Sequence, residues 1–93
     1  MDQVSTPPSD SLTVYRRLLR DDRVSHGAFR LWHYLRDRAN DENVCWPQQR
    51  TIAKDMHCKP HSLSGWIDEL EESGYLAVES KGANHHFVYR ILD

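Results

Sequence analysis

The residues best equipped for chemistry gather in "HCKPH", His57 to His61, and in the pair His85-His86. Imidazole and thiol groups bind metals, move protons and attack electrophiles, so each use has to be weighed against the spacing. Cys58 and His61 stand about one helical turn apart, a separation that zinc can bridge. A zinc site takes three or four protein ligands, and a thiol buried as a small apolar residue beside surface imidazoles is the simpler reading. The imidazoles could instead face phosphate. With a reference pKa of about 6.5, they would then strengthen binding to a polyanion as pH falls from about 8 to about 6. The chain has no glycine-rich phosphate loop, no nucleophile elbow and no carboxylate pair with a reason to be buried. Neither enzyme activity nor a cofactor is expected.

Those side chains are carried by alternating helical patterns. Ile52, Ala53 and Met56 give a helix of about three turns one apolar side, and Leu63, Trp66, Ile67 and Leu70 do the same for a second. Between them, His57 stands where a positive φ is needed, a conformation in which histidine is one of the enriched non-glycine types. Pro60 suits the first position of the second helix, whose φ it matches. Ser73-Gly74 closes that helix with a glycine cap. Upstream, Leu12, Tyr15, Leu18 and Leu19 mark a short amphipathic helix. Ser25 caps the next one, with Val24 and Phe29 in hydrophobic-staple positions. Its stripe is Ala28, Leu31, Trp32, Leu35 and Ala39, with Arg30, His33 and Asp37 opposite, and Asn40 can end it in the left-handed conformation. Val44-Cys45-Trp46 reads as a brief strand. Tyr75–Ser80 and His85–Leu92 read as a hairpin around the turn Lys81–Asn84. Trp32, Trp46 and Trp66, with Tyr75 and Phe87, are expected in the core, Trp66 at the flank of its stripe, where it could stand half exposed as a partner surface.

The bulk properties bound the answer. Ninety-three residues support one domain, here residues 11–93, behind a flexible N-terminal tail at residues 1–10. With 39% hydrophobic and 28% charged residues, the chain has the composition of a folded domain rather than a disordered tail. No basic start and apolar run mark a signal peptide, which makes the cytoplasm the expected location. Two cysteines are too few for a disulfide scaffold. The net charge of −2 is not the footprint of a strongly basic nucleic-acid binder. Arginines nevertheless crowd the first 50 residues, while acids dominate from Asp68 to Glu79.

At this point "CWPQQRTIAKDM", "HCKPHSLSGWIDELEESGYL" and the hairpin from Tyr75 to Leu92 resemble a winged helix-turn-helix domain, and more narrowly the modules of plasmid and phage replication initiators. The resemblance covers about residues 12 to 92. It implies an α+β fold of three to four helices with a C-terminal β-hairpin wing and a short third strand, Val44–Trp46. Gln49–Met56 would be the supporting helix, Pro60–Glu72 the recognition helix and Lys81–Asn84 the wing. Two features depart from the family: Lys59 stands where a Ser or Thr cap is usual, and Gly65-Trp66 replaces polar or basic and small residues.

Double-stranded DNA is the partner so implied. Stepping about 100° per residue from an inward Leu63 turns His61, Ser64, Gly65 and Asp68 outward. Lys59, Pro60, His61, Ser62, Ser64 and Gly65 are then the expected DNA-contacting residues at the start of the recognition helix, Gly65 by allowing close backbone approach. Gln49, Arg50 and Lys54 on the supporting helix, and Lys81, Asn84 and His85 in the wing, would add phosphate contacts, while Glu69, Glu71 and Glu72 lean away. One recognition helix covers few base pairs, so a homodimer or a place in a longer chain is expected. The resulting function is sequence-specific DNA binding in replication initiation or transcriptional control of a plasmid, phage or mobile element. The alternative is a winged-helix assembly module that does not read DNA, favoured by the acidic balance and the arginine-free recognition helix; an exposed Trp66 among apolar neighbours would support it.

Overall fold

The computed structural model describes residues 9–81 and 87–92. Among them the chain forms helices α1 (Ser9–Arg20), α2 (His26–Arg38), α3 (Gln49–Met56) and α4 (Pro60–Glu72). Strands β1 (Val44–Cys45), β2 (Leu76–Lys81) and β3 (Phe87–Ile91) make one antiparallel sheet in the order β1-β3-β2. The α+β winged helix-turn-helix expected from the sequence is the fold observed. Helix α1 starts at Ser9 and so includes two residues assigned to the tail. Serine and aspartate favour a helix's first turn as readily as a loop.

The elements end where local chemistry dictates. The Ser25 hydroxyl accepts from the Ala28 N–H at 3.3 Å, and Val24 and Phe29 both pack against the core. Helix α3 ends at His57, which is left-handed at φ 56° and ψ 45°. Around it the Cys58 N–H reaches the Ala53 carbonyl at 3.0 Å and the His57 N–H the Lys54 carbonyl at 3.3 Å. Helix α4 closes the same way around Gly74 at φ 85°, with Tyr75 donating to Leu70 at 3.0 Å and Gly74 to Glu71 at 3.1 Å. Both ends are Schellman motifs, which satisfy carbonyls the helix leaves open. After α2, the left-handed residue is Asn43 (φ 64°), not Asn40. The Asn40 side chain is engaged instead, its Oδ1 accepting from Glu42 and Val44 N–H groups at 2.9 and 3.1 Å.

Helix α4 lies at the centre, packed on α2, α3 and β2. Leu63, Ile67 and Leu70 meet Ile52, Met56, Leu31 and Leu35, and Tyr89, Ile91 and Leu76 close the core from the sheet. Each such side chain contributes about 1.5–3 kcal/mol by leaving water. Trp66 is half-buried and covers Gly27, where even a Cβ would overlap the indole. The glycine was not singled out in the sequence, because only its packing partner on α4 explains it.

Three core assignments need correction. Val14 and Leu18 are the buried pair of α1, whereas Tyr15 and Leu19 are 36% and 55% exposed. Trp46 is 55% exposed: Cys45 takes the inward position of β1, so the next residue falls on the other sheet face. His33 does not stand free opposite the stripe; it packs edge-on against Phe29, Tyr15 and Trp32 with ring centroids 4.6–5.3 Å apart. The strands also shift. Lys81 closes β2, paired with Phe87, rather than opening the turn, and β2 carries an irregularity between Val78 and Ser80. The remaining wing positions, including Asn84 and His85, and the Lys81 side chain lie outside the described part.

Candidate nucleic-acid interface

Helix α4 presents one polar stripe away from the core. His61, Ser64, Gly65 and Asp68 are exposed at successive i, i+3, i+4 and i+7 positions, while Leu63, Ile67 and Leu70 are buried behind them. Beside this stripe runs a groove of about 980 Å³ between α4, the start of α3 and the start of β3. It brings together five residues expected from the sequence: Gln49, Arg50, Pro60, His61 and Ser64. Ile67 and Phe87 supply apolar lining, and Gln48, Asp68 and Glu71 complete the walls.

The other expected residues are distributed around this centre. Lys54, Lys59 and Gly65 are exposed outside the groove lining, and Ser62 is half-buried, one position before the inward Leu63. Gln49 is also half-buried, beside the Tyr89 hydroxyl but without a normal hydrogen bond to it. Burial pushes the Tyr89 pKa up to about 12. Arg50 remains exposed and makes a long 3.4 Å contact to Gln48. His57 and His61 share a four-residue spacing, yet the first ends α3 left-handed and the second lies in α4, so no common helical face joins them.

The first turns of the helices differ. Helix α2 is served twice: the Ser25 hydroxyl caps it, and the Glu69 carboxylate accepts from the Ser25 N–H. Helices α3 and α4 start at Gln48 and Lys59 with no side-chain cap and no acidic residue in the first turn. Their open N–H groups and positive dipole ends therefore remain available to an anion. The cations of α1 and α2 are largely engaged within the fold. Arg17 and Arg38 lie over the Tyr75 and Tyr34 rings, Arg36 donates to Asn43, and Arg30 donates to the Met56 carbonyl at the end of α3.

The carboxylates of α4 divide in a way the sequence reading did not foresee. Glu69 turns back to α2, but Glu71 lines the groove with Asp68 instead of leaning away. Helical periodicity separates inward from outward positions; which neighbouring element flanks an outward one depends on the tertiary arrangement.

Gly65 is the most informative position. A Cβ built there would meet nothing within 4 Å among the described residues, so packing among them does not require glycine. A glycine in a helix interior costs about 1 kcal/mol relative to alanine. The cost is explicable if another molecule approaches the backbone at that point.

A sequence profile described as a helix-turn-helix domain matches residues 23–76, more than half of the chain. A solved structure described as the N-terminal domain of a DNA binding protein superposes with a TM-score of 0.66 at 13% identity, covering 99% of this chain and 85% of the other. The AntR antimony-specific transcriptional repressor superposes with a TM-score of 0.56 at 20% identity, covering 100% and 73%. No curated protein matches the sequence significantly. At these identities the two structures establish a shared fold.

Proposed function

The chain belongs to the helix-turn-helix domain family, and from that premise we propose that it binds double-stranded DNA sequence-specifically in the cytoplasm to regulate transcription. Replication initiation on a plasmid, phage or other mobile element is the companion process, on the strength of the resemblance in "CWPQQRTIAKDM" and the segments after it. The observation that carries the reading is the α4 stripe with Gly65 at its centre, open to solvent where packing among the described residues needs no glycine. His61 and Ser64 would meet base edges, and Gly65 would let the backbone come close. Phosphates would be met by the uncapped starts of α3 and α4, by Arg50, Lys54 and Lys59, and by Lys81, Asn84 and His85 of the wing. Because α4 spans few base pairs, the chain would act as a homodimer or as one module of a longer protein.

The test is selection from a random duplex library, with Gly65→Ala in parallel. Wild-type protein should enrich a defined sequence and lose affinity steeply with added salt. The alanine variant should be about 0.5–1 kcal/mol more stable to urea, yet bind the selected duplex more weakly. Equal affinity in the two proteins would remove Gly65 from the interface. The Asp68–Glu71 wall favours a second reading, an assembly module that takes a protein partner, but Trp66 lies half-buried on Gly27 instead of standing exposed. Absence of any enriched duplex would move the assignment to that module.

A further inference from the structure

We propose that Asp68 is a specificity-determining residue that selects cytosine in the major groove; the inference rests on the DNA-binding reading above. Helix α4 contains no arginine or lysine between Pro60 and Glu72. The commonest specific contact, a cationic side chain on the O6 and N7 atoms of guanine, is therefore not available from it. From His61 to Asp68 the exposed stripe covers about 10 Å along the helix, enough to face about three base pairs at about 3.4 Å each. Asp68 ends that stripe. It is exposed, lines the groove beside Ser64, and has no hydrogen-bond or ion-pair partner among the described residues.

A carboxylate only accepts hydrogen bonds, and phosphate repels it, as it does the neighbouring Glu71 on the same wall. Within the major groove its possible donors are the amino groups of cytosine and adenine. The adenine amino group lies between two acceptors, its own N7 and the O4 of the paired thymine. The cytosine amino group has an acceptor on one side only, the guanine O6, and a C5–H on the other. A second carboxylate oxygen is thus repelled less at cytosine. Asp68 supplies attraction to that one base and disfavours guanine and thymine at the same position, whose major-groove edges carry no donor.

The experiment is duplex selection with the full chain as wild type, Asp68→Asn and Asp68→Ala, together with binding to unselected random duplex. Wild type should favour cytosine at one position by at least about fivefold. In Asp68→Asn that preference should move toward adenine, whose N6 and N7 suit a carboxamide. In Asp68→Ala it should vanish while the other positions stay unchanged and binding to random duplex rises. Identical preferences in all three proteins would overturn the role of Asp68 and leave DNA binding intact. A wild-type protein that enriches no sequence would overturn both.

Discussion

At the junction of α3 and α4, His57 adopts a conformation that glycine reaches without strain. A side chain in the left-handed region costs about 1–2 kcal/mol, part of which glycine returns through its more mobile unfolded chain. His57→Gly should therefore stabilise the protein by about 0.5–1 kcal/mol, raising the thermal midpoint by about 2–8 °C. Differential scanning calorimetry checks this, and an unchanged or lower midpoint would show that the imidazole makes a compensating contact. Single positions of this kind were legible in the sequence. The left-handed histidine, the Pro60 start and the Gly74 cap all follow from backbone preferences that act within a few residues. Trp46 and His33 were not legible, because burial depends on which face another element covers.

Helices α2 and α4 are joined by more than apolar contact. Glu69, near the end of α4, accepts from the N–H of Ser25 at the entrance to α2, where negative charge also complements the helix dipole. Replacing Glu69 by alanine should cost about 1–2 kcal/mol, and glutamine, which keeps an acceptor, should cost less. Urea denaturation of the two variants measures both. Equal losses would place the effect in the charge rather than in the hydrogen bond. This pairing across 44 residues explains one acid in the run that begins at Asp68. Helical stepping had placed Asp68 outward correctly, but the roles of Glu69 and Glu71 required the positions of α2 and β3. The limits of α3 and α4 coincide with those the family resemblance implies, whereas the apolar pattern alone gives α3 about three turns where it has eight residues; β1 lost Trp46, whose strand pairing no local signal encodes.

The connection after α1 is fastened through Asp21 to the junction of α4 and β2. Its carboxylate, in a side chain 9% exposed, accepts from the Arg23 guanidinium at 2.6 and 2.9 Å, from the Arg23 N–H at 2.9 Å and from the Tyr75 hydroxyl at 2.8 Å. The arginine contacts, first, and then the tyrosine hold its pKa well below the usual carboxylate range. A depressed carboxylate stabilises the fold above its unfolded pKa of about 3.9, and that contribution disappears as pH falls toward the folded value. Asp21→Asn should therefore unfold at a lower urea concentration than wild type at pH 7, with the gap narrowing below about pH 4. A constant gap from pH 7 to about pH 2.5 would assign the effect to geometry rather than ionisation.

The sheet has a further consequence. Its outer strands are β1, two residues long, and β2, bent by the irregularity between Val78 and Ser80. A long flat outer strand is a template for cross-β growth from one molecule to the next. Here one margin is two residues long and the other is interrupted in register, so neither offers the uninterrupted edge on which strand-to-strand fibril growth depends.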